Sequence, residues 1–111
     1  MNHTDSLPAP LAGGPSAQAR EAGERFARLV DVVASLRSAQ GCPWDREQTL
    51  ESLRPFVLEE AYEVVESIDA GDRAALGGEI GDFLFEGVLL AQLAAEAGDF
   101  TVADSLQAIV D

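Results

Sequence analysis

Histidine and cysteine are almost missing from this chain, with His3 and Cys42 the single example of each in 111 residues. One cysteine cannot close an internal disulfide, and its reduced state fits a cytoplasmic protein. One histidine, placed in an N-terminal leader, leaves no Cys/His zinc site and no Ser-His or Cys-His catalytic pair. A di-iron site of the ferritin kind is excluded on the same ground, because it needs Glu-x-x-His pairs on bundle helices. Basic residues are also few: 7 against 20 acidic, for a formal net charge of -13. Nucleic-acid affinity comes largely from Lys and Arg on phosphate, so this composition argues against a nucleic-acid partner. An acidic chain that handles phosphate needs a cation between the two. Long hydrophobic runs are missing as well. The most apolar stretch, Gly87 to Ala95, is too short to span a bilayer and is flanked by Glu86 and Glu96. Residues 1–14 lack the basic and apolar segments of a secretory signal.

What is present is apolar material at helical spacing. Hydrophobic residues make up 47% of the chain, enough for a folded domain rather than a disordered one. A chain of this length buries a limited core, so a partner copy is expected. Residues 1–16, rich in Pro, Ala, Gly and Ser, read as a leader, and 17–111 as one domain. Phe26, Leu29, Val30, Val33 and Leu36 form the stripe of a first helix from Ala17 to Ser38. Gly41, Pro43 and their neighbours through Asp45 break the pattern into a loop, after which Asp45 or Thr49 could cap a short turn. Pro55 suits the first turn of a second helix over Arg54 to Ala70, stopped by Gly71. Asp72 caps a third over Arg73 to Ala97, in which Gly77, Gly78 and Gly81 weaken the helix or allow close helix approach. Thr101 and Asp104 form a capping-box pair ahead of a fourth helix with Val102, Leu106, Ile109 and Val110. No strand pattern appears. The expectation is an all-α antiparallel bundle of about four helices, completed by dimerisation.

Carboxylates fall where this bundle would bring them together. On the second helix the apolar arc holds Val57, Ala61, Val64, Val65 and Ile68. Glu60 lies beside that arc and Glu63 one step further out, so the two point together at a neighbour. Tyr62 falls near the apolar edge, as a structural residue. The third helix is apolar on nearly every side, from Ile80 and Phe83 to Leu93, yet Glu79, Asp82 and Glu86 share one stripe. Buried carboxylates without partners are costly, and a hard divalent cation that prefers oxygen ligands resolves the conflict. Solvated surface acids are the alternative, and spacing alone leaves both open.

Several segments in order sharpen the choice: Gly41-Cys42-Pro43-Trp44-Asp45, Gln48-Thr49 with Ser52-Leu53 and Pro55, then Leu58-Glu59-Glu60-Ala61-Tyr62-Glu63-Val64, then Glu79-Ile80-Gly81-Asp82, with Phe100 and Ala103-Asp104 later. The ordered set, covering Phe26 to Val110, resembles the MazG family of nucleoside triphosphate pyrophosphohydrolases. The resemblance implies an all-α, dimeric or larger assembly that cleaves nucleoside triphosphates to monophosphate and pyrophosphate with Mg²⁺, Mn²⁺ being a possible substitute. It implies Glu60, Glu63, Glu79 and Asp82 as metal ligands and Glu59 as the residue that orients or deprotonates water. Trp44 is a candidate for base stacking or pocket closure, or else a loop anchor. Arg46 and Arg54 are candidates for phosphate contact. Phosphoribosyl-ATP pyrophosphatases share the architecture, but Cys42-Pro43-Trp44-Asp45 favours the MazG type.

The chain also departs from the pattern. Relatives carry a basic stretch after the last helix, whereas this sequence stops at Asp111, as a fragment or a short variant. Glu86 replaces a more usual Gln and Gly78 a common Glu. Two further readings therefore stand beside the enzyme: a non-enzymatic nucleotide or metal binder, and a helical dimerisation module.

Overall fold

The computed structural model describes residues 13–111, so His3 and most of the proposed leader lie outside the described residues. Five helices follow one another: α1 (Ala17–Leu36), α2 (Pro43–Glu47), α3 (Leu50–Ala70), α4 (Arg73–Glu96) and α5 (Val102–Val110). No strand occurs among the described residues. The all-α expectation holds, with a short fifth helix inside what the sequence reads as loop.

Local chemistry explains the boundaries. Ser16 caps α1 by accepting from the Ala19 N–H. Thr49 caps α3 in a capping box with Ser52, so α3 begins four residues earlier than Arg54. Pro55 therefore sits inside the helix and not in its first turn, which removes one N–H from the ladder. The reciprocal Thr49–Ser52 bonds, 2.8 and 3.1 Å long, start the helix despite it. Asp45 is no cap; it lies within α2, where it is buried. Gly71 ends α3 at φ 69°, a left-handed conformation that glycine adopts without penalty. Asp72 caps α4 through the Ala75 N–H, and Thr101 with Asp104 forms the expected box ahead of α5.

The α3–α4 hairpin is the spine of the molecule. Val33, Leu53, Val88, Leu89 and Leu93 form the buried core, with Phe26, Leu29, Val30, Phe85, Leu90 and Val102 packed around it. Arg37 ties the α1–α2 connection down. Its guanidinium donates to the carbonyls of Asp45, Arg46 and Gln48 at 2.7, 3.1 and 3.1 Å and pairs with Glu96 of α4 at 2.6 Å. A Cβ on Gly41 would lie 2.3 Å from the Leu36 carbonyl oxygen, so the turn feeding α2 has room only for glycine.

Two packing expectations need correction. The outward face of α3 is apolar: Val65 and Ile68 are exposed, as are Leu58 and Tyr62, the latter at 64%. Tyr62, at the edge of the apolar arc, lies outside the core of one copy. The first half of α4 is also open, with Ile80, Phe83 and Leu84 exposed. A helix apolar on all sides needs cover on all sides, and one copy supplies neighbours for part of it. Gly77, Gly78 and Gly81 mark no close approach, since a Cβ at each meets nothing within 4 Å.

Candidate metal centre

The antiparallel pairing of α3 and α4 sets the site. One carboxylate oxygen from each of Glu60, Glu79 and Asp82 lies within 4.8 Å of the other two. Glu60 and Glu79 are half-buried and Asp82 is exposed. These are the i, i+3 and cross-helix neighbours that the spacing suggested, brought together by a turn only two residues long.

Their electrostatics are unfavourable. Burial, the facing Glu79 carboxyl and the charges of Asp82 and Glu63 push the Glu60 carboxyl up to about 7. Glu63 is also raised, first by Glu66 and by desolvation, then by Glu79 and Glu59. One oxygen each of Glu60 and Glu79 is buried without a hydrogen-bond donor. The group each one faces is the other carboxyl, so a bond between them requires that one be protonated. Among the described residues the ion pairs are Arg25–Glu21 and Arg37–Glu96, and neither touches the cluster. Oxygen-only donors, orphaned buried oxygens and no local cation suit a hard divalent metal such as Mg²⁺ or Mn²⁺.

The other candidates are spread around this centre. Glu63 is one helical turn beyond Glu60 on α3 and lies within electrostatic reach of Glu79, outside the tight trio. Glu59 is exposed and adds its charge to that of Glu63. Trp44 is half-exposed on α2, its ring edge-on to Phe56 of α3 with centroids 5.5 Å apart. Arg46 donates to the Ala39 carbonyl at 3.1 Å. Arg54 lines a surface groove with Glu51, Pro55 and Leu58.

Two acids gain importance that the sequence did not give them. Glu86 lies one turn after Asp82, with one buried oxygen lacking a partner. Its carboxyl is raised by burial first, then by Asp45 and Asp82. The stripe Glu79, Asp82, Glu86 signalled the first of these acids. Nothing local signalled Asp45, which reaches the area because Arg37 holds α2 against α4.

Comparison with known proteins places the chain in a family. The profile of the MazG nucleotide pyrophosphohydrolase domain matches residues 48–111, the part that carries every cluster carboxylate. A nucleoside triphosphate pyrophosphohydrolase/pyrophosphatase MazG of Thermotoga maritima is 44% identical over 90 residues, covering 81% of this chain and 35% of the relative. A nucleoside triphosphate pyrophosphohydrolase of Escherichia coli strain K12 is 46% identical over 85 residues, 76% of this chain and 32% of that protein. An uncharacterized protein, YabN of Bacillus subtilis, is 38% identical over 84 residues. The chain thus spans about a third of the length of the first two of these relatives. With more than half of its residues matched by the profile, and with such identities, the chain belongs to the MazG nucleotide pyrophosphohydrolase domain family.

Proposed function

We propose that the chain hydrolyses nucleoside triphosphates to the monophosphate and pyrophosphate, with Mg²⁺ held by Glu60, Glu63, Glu79 and Asp82. The observation that carries this is the convergence of Glu60, Glu79 and Asp82 with no cationic side chain among them. The pyrophosphohydrolase activity for which the Thermotoga maritima and Escherichia coli relatives are named supports it.

The reaction breaks the anhydride between the α and β phosphorus. Water supplies the new P–O bond, and its proton goes to a base. Glu59, exposed beside Glu60, orients that water and takes the proton. A Mg²⁺ held by Glu60, Glu63, Glu79 and Asp82 would supply the charge neutralisation and electrophilic activation that the phosphate needs. Positioning and charge stabilisation supply most of the rate, as in other phosphoryl transfers. Mn²⁺, a similarly hard ion, is the expected substitute.

Trp44 offers a half-exposed ring for stacking or closing the pocket. Arg54 and Arg46 are the arginines proposed for phosphate contact, Arg46 by releasing the Ala39 carbonyl. The exposed apolar face of α3, with Leu58, Tyr62 and Ile68, is suited to a second copy, and a homodimer is the proposed assembly. The net charge of -13 disfavours nucleic acid as a partner. No helix of the described residues is long and apolar enough to cross a membrane. The single free cysteine suits a cytoplasmic location.

Incubation with a panel of ribo- and deoxyribonucleoside triphosphates plus Mg²⁺ tests the proposal. Monophosphate and pyrophosphate should appear in equal amounts with wild type. Failure to exceed a Glu60→Ala control for every nucleotide would refute it.

A further inference from the structure

An apolar groove runs beside the carboxylate stripe of α4. Its volume is about 360 Å³, within the range of small-molecule sites. Phe26 of α1, Val57 of α3, Phe83 and Leu90 of α4, and Val102 and Leu106 of α5 supply its walls. Glu86 is the only ionisable side chain on that lining. One of its carboxylate oxygens is buried and has no donor partner. Beside it, Gly87 adds no side chain, and a Cβ there would meet nothing within 4 Å.

Glu86 links the groove to the carboxylate trio: it lies on the groove wall and within electrostatic reach of Asp82. Asp82 belongs to the metal trio, and Glu86 lies four residues on along the same helix, about 6 Å of axial rise. A triphosphate held at Glu60, Glu79 and Asp82 therefore has its nucleoside end within reach of Glu86. A nucleobase matches what the groove presents: two apolar faces for apolar walls, and a polar edge for the Glu86 carboxylate, with the Ser105 hydroxyl the other polar side chain on the lining. An ionised carboxylate accepts and does not donate. Cytosine, adenine and guanine offer an exocyclic amino group, and carboxylates read the cytosine amino group in this way. Uracil and thymine carry a carbonyl oxygen at C4 where cytosine carries the amino group, with their one N–H set back at N3 between two carbonyls, so a carboxylate aimed at the C4 substituent would face an oxygen.

We propose that Glu86 is a specificity-determining residue of this site, seated in the α1–α4–α5 groove, that selects amino-bearing nucleobases over uracil and thymine. The inference rests on the triphosphate reading given under Proposed function. Sites built to hydrogen-bond a substrate group discriminate strongly, because the wrong substrate leaves a buried polar group unpaired.

CTP and UTP make a matched test pair, differing only on the base edge at N3 and C4. Wild type, Glu86→Gln and Glu86→Leu are compared for kcat/KM on both, after circular dichroism and sedimentation confirm the fold and assembly. In parallel, calorimetry measures binding of the α,β-methylene analogues of both nucleotides in the presence of Mg²⁺. The expected wild-type preference for CTP is about tenfold or more. Glu86→Leu should bring the ratio to within about twofold. Glu86→Gln, which both donates and accepts, should also narrow it. A wild-type ratio near one, or a ratio that persists in Glu86→Leu, overturns the assignment while turnover leaves the enzyme reading intact. Binding of the analogues with a Glu86-dependent CTP preference but no turnover sinks the enzyme reading and keeps this one. A Glu86→Leu protein that changes its sedimentation without changing the ratio shows the groove to be covered by another copy, and also overturns it.

Discussion

Glu60 of α3 and Glu79 of α4 face each other across the helix hairpin, each with a buried oxygen that no donor reaches. Asp82 closes the group from one turn further along α4. This is a costly arrangement for a folded protein to keep without a cation, and the pH response should show it. Glu60 titrates at about 7, above the ordinary carboxylate range, under the combined influence of burial, Glu79, Asp82 and Glu63. A raised carboxyl binds its proton more tightly in the folded state than in the unfolded one. Stability therefore falls as pH rises from the unfolded value, about 4.3, through about 7. In the absence of divalent ions the melting temperature should be higher at pH 5.5 than at pH 8, a difference followed by circular dichroism. Mg²⁺ or Mn²⁺ should raise the melting temperature more at pH 8 than at pH 5.5, since the metal competes with the proton. A Glu60→Gln protein should lose most of the pH slope.

Arg37 should be the most sensitive surface-adjacent residue. Its side chain is 12% exposed, pairs with Glu96 and donates to three backbone carbonyls of the α2 region. Arg37→Gln leaves those carbonyls and Glu96 without their cation, which should cost on the order of 3 kcal/mol by urea unfolding. Because α2 carries the only tryptophan, Trp44, its fluorescence should shift before the global transition. The exposed Arg25–Glu21 pair is the control, and Arg25→Gln should cost less than about 0.5 kcal/mol.

Two glycines should respond in opposite directions to alanine. At Gly41 the added carbon meets the Leu36 and Ser35 carbonyls at 2.3 Å, so the backbone turn must shift. Gly41→Ala should destabilise by more than about 1 kcal/mol. At Gly77, inside α4, the added carbon meets nothing within 4 Å. Gly77→Ala should stabilise by about 0.5–1 kcal/mol, the helix-propensity difference. Chemical denaturation of the two variants beside wild type measures both.

The outward face of α3 should govern assembly. Leu58 is 72% exposed and lies one turn from Tyr62. If the proposed homodimer uses this face, Leu58→Arg should shift the protein toward monomer in sedimentation velocity, without loss of helix content.

Much of this molecule was legible in its sequence. Asp72, Gly71 and the Thr101–Asp104 box announce their helix ends by chemistry that acts over three or four residues. The convergence of Glu60, Glu79 and Asp82 was equally readable, because a short turn after α3 leaves little freedom in how the two helices pair. The misses involve competition or distance. Pro55 looked like a helix start, yet the Thr49–Ser52 box starts α3 upstream and the helix absorbs the lost hydrogen bond. Val65 and Ile68 sit on the apolar arc yet are exposed, because an apolar stripe carries no label for what covers it. Asp45 was invisible as a neighbour of Glu86, since its place depends on the Arg37–Glu96 tie between residues far apart in the chain.

Titration with Mn²⁺, read by the loss of its free electron paramagnetic signal, tests the metal centre most directly. The wild-type protein at pH 7.5 should bind Mn²⁺ saturably, Mg²⁺ should displace it, and Glu60→Gln and Glu79→Gln should each weaken binding at least about tenfold. Binding that is weak, non-saturating and unchanged in both variants would mean that these carboxylates are an ordinary acidic surface and not a metal centre.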